Sequence, residues 1–146
     1  MTTKNSANAS YEGLGKKGKG HVSTESGALD KQPYGFNTRF EDGNGTNPEE
    51  QIAAAHASCF TMALSFALAD KGYNDGNLQT KATLSLEQDG DGFTITKSQL
   101  VLHAKVSGIN ETEFTKIAQG AKKNCPISKV LKCEITLEIE GFSAAG

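Results

Sequence analysis

Nothing in this 146-residue chain approaches the roughly 18 consecutive apolar residues that cross a bilayer, so a membrane span is not expected. The first ten residues are polar and no apolar stretch follows the single early Lys4, which argues against a cleavable secretory leader and for a cytoplasmic protein. Neither sign of charge is in surplus. A net charge of −2, with 36% hydrophobic and 22% charged residues, is a soluble globular balance that favours neither nucleic acid nor an anionic membrane as partner. The basic run Lys16-Lys17-Gly18-Lys19 is short and glycine-spaced and reads as a solvated turn. No internal repeat or long low-complexity segment occurs. The three cysteines and three histidines are scattered with no close pair of ligands, so no zinc pattern is present and no metal is expected.

What is there fits a single domain over residues 1–146, long enough for one hydrophobic core and too short for two. The first forty-five residues are rich in glycine and threonine. His21-Val22-Ser23-Thr24 and Phe36-Asn37-Thr38-Arg39-Phe40 read as strands separated by turns, and residues 41–46 as a loop. Asn47 then suits an N-cap, Pro48 the first helical position, and Glu50 the returning arm of a capping box. From Ile52 to Ala67 apolar residues recur at spacings of three and four, and Gly72 marks a stop. A helix of about 24 residues, roughly 36 Å long, is expected over 48–71. It carries almost no charge between Glu50 and Asp70, so it should be buried all round. A monomer of this size would struggle to enclose it, which points to a second subunit.

Beyond it, Lys81–Gln88 and Phe93–Val106 form a hairpin about the Asp89-Gly90-Asp91-Gly92 turn. Asn110 and Glu113 repeat the capping-box pattern for a helix over 111–123. Pro126 opens a short helix over 126–131, and Ile135, Leu137 and Ile139 alternate with polar residues in a last strand. Strands, long helix, hairpin, helix, strand is an α+β order, with an antiparallel sheet packed on helices.

Two thiols stand in unlike settings. Cys59 lies in the middle of the long helix, while Cys125 immediately precedes Pro126 at a helix N-terminus, where exposed N–H groups favour a thiolate. Local physics therefore makes Cys125 the more acidic. Cys59 needs a cation from elsewhere, and Arg39, held by Glu49 or Glu50, is the candidate before its helix. The alternative is a surface arginine pairing with any nearby acid. His56, one turn before Cys59, either serves it as a base or packs and bonds locally. Cys133 reads as a small strand residue, and any of the three cysteines can simply pack as an apolar side chain.

Four segments carry a family resemblance. Val22-Ser23-Thr24-Glu25-Ser26-Gly27, Gln32–Phe40, Gly45-Thr46-Asn47-Pro48-Glu49-Glu50 and Ala54-Ala55-His56-Ala57-Ser58-Cys59-Phe60 resemble the osmotically inducible OsmC branch of the OsmC/Ohr hydroperoxide peroxidases. Asn124-Cys125-Pro126-Ile127-Ser128 through Leu137 extends the likeness. The resemblance implies an intertwined homodimer with antiparallel sheets wrapped around a long central helix. It implies a cofactor-free thiol peroxidase that protects against oxidative stress, using a lipoyl-type dithiol as reductant. Cys59 would attack an organic hydroperoxide and Cys125 resolve the sulfenic acid to a disulfide, with Arg39 and Glu49, rather than Glu50, activating Cys59. Phe36, Phe60 and Met62 would line an apolar substrate site, or belong to the core. The alternative function is a redox sensor or stress-induced binding protein without turnover.

Helix geometry adds a constraint. Glu49 and Cys59 are ten positions apart on one helix, a rise of about 15 Å, farther than one guanidinium can bridge. A working site would then take Arg39 and Glu49 from the other subunit.

Overall fold

The computed structural model describes residues 1–144. These form two compact units, Met1–Gln51 and the chain from Ile52 onward. In the first, β1 (Ala7–Glu12), β2 (Lys19–Thr24) and β3 (Gln32–Tyr34) form an antiparallel sheet in the order β1-β2-β3. The segment expected as a strand over 36–40 is instead a short helix, α1 (Phe36–Phe40). Its start is closed by Thr38, whose hydroxyl accepts the Gly35 N–H at 2.8 Å and donates to the Gly35 carbonyl at 3.1 Å. Phe36 and Phe40 are four positions apart and stack at 5.1 Å between centroids, a pairing that a helix permits and a strand would not. Gly45, at φ 137°, lies against the Pro33 carbonyl where any Cβ would collide with it, and this lets the Thr46 N–H bond that carbonyl at 2.9 Å.

The long helix α2 runs over Pro48–Asp70. Its N-cap forms as expected, with Asn47 Oδ1 accepting the Glu50 N–H at 2.8 Å, but the returning arm does not: the Glu50 carboxylate accepts from the Thr46 hydroxyl at 3.0 Å. At its end the Tyr73 N–H returns to the Leu68 carbonyl and the Gly72 N–H to that of Ala69, closing the last turn as a Schellman motif does.

In the second unit β4 (Gly76–Asp89) and β5 (Gly92–Val106) form the hairpin, turning at Gly90 with φ 61°. Helices α3 (Glu111–Asn124) and α4 (Pro126–Val130) lead to β6 (Glu134–Ser143), which pairs with β5. That pairing is parallel, which corrects the expectation of a purely antiparallel sheet. The reason is the connection: α3 and α4 carry the chain back along the sheet, as the crossover between parallel neighbours must. At the N-cap of α3, Asn110 Oδ1 accepts the Glu113 N–H, while the Glu113 carboxylate takes the Tyr73 hydroxyl and again leaves the capping box half made.

Along β5 Ser98, Leu100, Leu102, Ala104 and Val106 are buried at every second position. The four apolar ones pack with Phe60, Leu64 and Leu68 of α2, with Phe114, Ala118 and Ala121 of α3, and with Cys125 in one core. The buried stripe of α2 is narrow, consisting of His56, Phe60, Leu64 and Leu68 at successive intervals of four. Met62 and Phe66 remain 57% and 66% exposed, so one chain does not bury the helix all round. As expected, no run of about 18 consecutive apolar residues occurs in α2, although by length and composition alone the helix is apolar enough to cross a membrane, with a mean hydropathy of 1.6 over 18 residues. His56, Ser58, Thr61 and Ser65 interrupt any continuous apolar run, but alanines and large apolar residues dominate the average.

Candidate functional site

The four residues expected to carry chemistry fall into two pairs, one in each unit. In the first unit Arg39 projects from the last turn of α1 and grips Glu49 in the first turn of α2. Its Nε donates to Oε1 at 2.8 Å and its Nη2 to Oε2 at 2.9 Å, the two-point fork in which a planar guanidinium matches a carboxylate. Of the two candidate acids, Glu49 thus holds the arginine, and Glu50 is engaged with Thr46. Arg39 also lies over the Phe40 ring at 5.5 Å. Beside this pair Tyr11, Tyr34, Phe36 and Phe40 line a groove of about 420 Å³. Its walls are largely aromatic.

In the second unit Cys59 and Cys125 are both free thiols, close enough that each shifts the pKa of the other. Cys125 is fully buried where α3 ends and α4 begins, and Cys59 is half-buried on α2. Burial pushes the Cys59 thiol up. The Ile127 N–H opposes that rise, while the hydrogen bond to Cys125 and the charge of that sulfur reinforce it. Burial also acts to raise Cys125, but it is outweighed by the Ser128 N–H, by hydrogen bonds from Cys59 and the Ser128 hydroxyl, and by the Ile127 N–H, so this thiol titrates below its ordinary value. Proline at the first position of α4 has no N–H, so the amides that turn toward the sulfurs belong to the two residues after it. Within this corner Cys125 is the more acidic of the two thiols.

His56 does not act on Cys59. Its ring is fully buried, with Nδ1 against the Ser98 hydroxyl at 2.6 Å and Nε2 against the Ser128 hydroxyl at 2.8 Å, and burial lowers its pKa, so it is neutral at pH 7. These bonds reach 42 and 72 positions along the chain rather than staying local. Neither serine is marked by sequence reasoning. The one available signal is that Ser128 stands three residues after Cys125, at the helix position whose side chain can turn back toward the cap. Phe60, expected as a candidate lining residue, is wholly buried in the core, while Phe36 lines the aromatic groove and Met62 is exposed. Cys133 lies in a bend just ahead of β6 rather than within the strand.

This combination of an α+β fold, one long helix and a thiol pair at its middle has relatives. The family model described as OsmC-like protein matches residues 41–140. The chain is 52% identical over 140 residues to Peroxiredoxin OsmC of Escherichia coli, covering 96% of this chain and 98% of that one. It is 32% identical over 122 residues to an organic hydroperoxide resistance protein-like protein of Staphylococcus epidermidis, covering 83% of this chain and 85% of that one. Among solved structures, the organic hydroperoxide resistance protein OhrB of Bacillus subtilis superposes with a TM-score of 0.70 at 26% identity, covering 92% of this chain and 98% of that one. An OsmC-like protein of unknown function from Vibrio cholerae shares the fold, with a TM-score of 0.74 at 19% identity over 94% of this chain and 99% of that one. The chain belongs to the OsmC-like family.

Proposed function

We propose that this protein is a cysteine-based thiol peroxidase that reduces organic hydroperoxides to alcohols and so protects against oxidative stress. The observation that carries the proposal is the pairing of two free thiols at the middle of α2 and the start of α4, in a chain half identical to a protein named as a peroxiredoxin. The Cys59 thiolate attacks the outer peroxide oxygen; the O–O bond breaks, and the alkoxide leaves and takes a proton as the alcohol. Cys125 then attacks the Cys59 sulfenic acid; the S–S bond forms, the S–O bond breaks, and water departs. A dithiol of lipoyl type returns both sulfurs to thiols by exchange. The more acidic Cys125 suits that last step, since a more acidic thiol leaves more readily.

Cys59 must still be made anionic, and burial opposes this. Arg39, oriented by Glu49, supplies the charge that stabilises the thiolate and the departing oxygen. Because Glu49 and Cys59 are about 15 Å apart along α2, the pair that serves a given Cys59 comes from a second copy of the chain. The exposed Met62 and Phe66, one helical turn apart on α2, support a homodimer that covers this face. The aromatic groove beside Arg39 favours bulky alkyl hydroperoxides over hydrogen peroxide. In this reading residues 1–146 act as one OsmC-like domain in the cytoplasm, without cofactor.

With excess dithiol, wild-type protein is expected to consume many equivalents of a cumene-type hydroperoxide, and to do so faster than it consumes hydrogen peroxide. Consumption that stops at one equivalent per chain would instead identify a redox sensor.

A further inference from the structure

We infer that Ser98, His56 and Ser128 form a buried positioning chain that aims a hydroxyl proton at the Cys125 sulfur and so controls the disulfide-forming and disulfide-opening steps. The inference rests on the peroxidase reading for its consequence, but its physical content concerns Cys125 alone.

A neutral imidazole has one donor and one acceptor, and burial keeps His56 neutral. Its two nitrogens meet two serine hydroxyls, at 2.6 Å to Ser98 on β5 and 2.8 Å to Ser128 on α4, and Ser128, three residues after Cys125, acts in turn to lower the pKa of the Cys125 thiol. A thiolate can only accept. When Cys125 is ionised, Ser128 therefore gives its proton to sulfur and accepts from His56 Nε2–H, and His56 Nδ1 accepts from Ser98. All three donors then point toward the anion. When Cys125 is a thiol the order reverses: S–H donates to Ser128, Ser128 to Nε2, and Nδ1–H to Ser98. Both His56 nitrogens and the Ser128 hydroxyl keep a partner in either state, which keeps both states accessible.

The titratable groups acting on this sulfur are Cys59 and, through Ser128, His56, both carried by α2; β5 contributes the uncharged Ser98. This differs from simply tying α2 to the sheet. An inert tie would accept any side chain of matching shape, whereas the chain requires a hydroxyl at Ser128 and a donor at His56. In the disulfide-forming step the Cys125 thiolate attacks the Cys59 sulfenic sulfur, and hydroxide leaves as water with the proton that Cys125 released. In reduction a thiolate of the dithiol attacks Cys59, the S–S bond breaks, and Cys125 departs as the thiolate that Ser128 receives.

The test is the pH dependence of Cys125 alkylation, read by intact mass in a Cys59→Ser background, where no peroxidase activity is needed. Ser128→Ala and His56→Leu should each move the titration midpoint up by about one pH unit, the scale of one hydrogen bond to a charged group. His56→Gln, which keeps an N–H for Ser128, should restore most of the shift. With Cys59 present, Ser128→Ala should slow disulfide closure about tenfold relative to Cys59 oxidation, matching that lost thiolate fraction. An unmoved midpoint in Ser128→Ala, in protein shown to be folded by circular dichroism and thermal melting, overturns the inference. Should His56→Leu fail to fold, Ser128→Ala decides alone. Should wild type fail to turn over hydroperoxide, the peroxidase reading falls while the Cys125 titration still decides this one.

Discussion

Cys59→Ser is expected to lower the kcat/KM for an organic hydroperoxide by at least about 10³-fold, in effect abolishing turnover. A serine hydroxyl is not ionised at neutral pH and cannot become a sulfenic acid, so neither the O–O cleavage nor the disulfide that follows has a nucleophile. The substitution is nearly isosteric at a half-buried site, and a hydroxyl can still accept the Ile127 N–H that faces Cys59. The fold should survive, and thermal melting checks that the loss is chemical. Cys133→Ser provides the contrast. That residue lies in the bend before β6, away from the thiol corner in the sequence of elements, and its replacement should leave turnover near wild type. Full activity in Cys59→Ser would move the chemistry to another residue.

Arg39→Ala should cost about 10²–10³-fold in kcat/KM, the scale of removing one oriented charge-stabilising donor from a transition state. The structure gives this expectation its shape, because burial raises the Cys59 thiol despite the opposing Ile127 N–H, and an added cation acts against that rise. Arg39→Lys should recover little, since a lysine cannot reproduce the two-point grip on Glu49. The origin of the arginine is tested by combination. Co-expressing Arg39→Ala chains with Cys59→Ser chains should restore activity that neither has alone, because a mixed dimer pairs an intact Cys59 with an intact Arg39 from its partner. If the mixture stays inactive while mixed dimers are demonstrably present, each chain serves its own cysteine.

Most helices were legible in the sequence because their ends are written locally. Asn47-Pro48, Asn110 and Cys125-Pro126 each place a cap or a pre-set φ where a helix begins, and the observed starts of α2, α3 and α4 fall there. The 89–92 turn located the hairpin for the same reason, although β4 begins five residues before the expected Lys81. What escaped is non-local or lacks a periodic signal. β1 is exposed at all six positions and so shows no alternation of apolar and polar residues. α1 is a single turn whose Phe36–Phe40 spacing fits a strand's alternation as well as a helix. The parallel pairing of β6 depends on where α3 and α4 return the chain, not on the residues of β6 itself. In the candidate site, the residues themselves nominated the two cysteines, Arg39 and either Glu49 or Glu50, and the resemblance assigned their roles and preferred Glu49, while the His56 contacts join segments 42 and 72 positions apart that no spacing rule connects.

The most direct test of the central claim is the product of one oxidation. Wild-type protein treated with one equivalent of an organic hydroperoxide should lose about 2 Da, the two hydrogens of a new disulfide, and proteolysis should release a peptide pair linked through Cys59 and Cys125. Both thiols remaining free to alkylate, or a link that runs instead through Cys133, would contradict it.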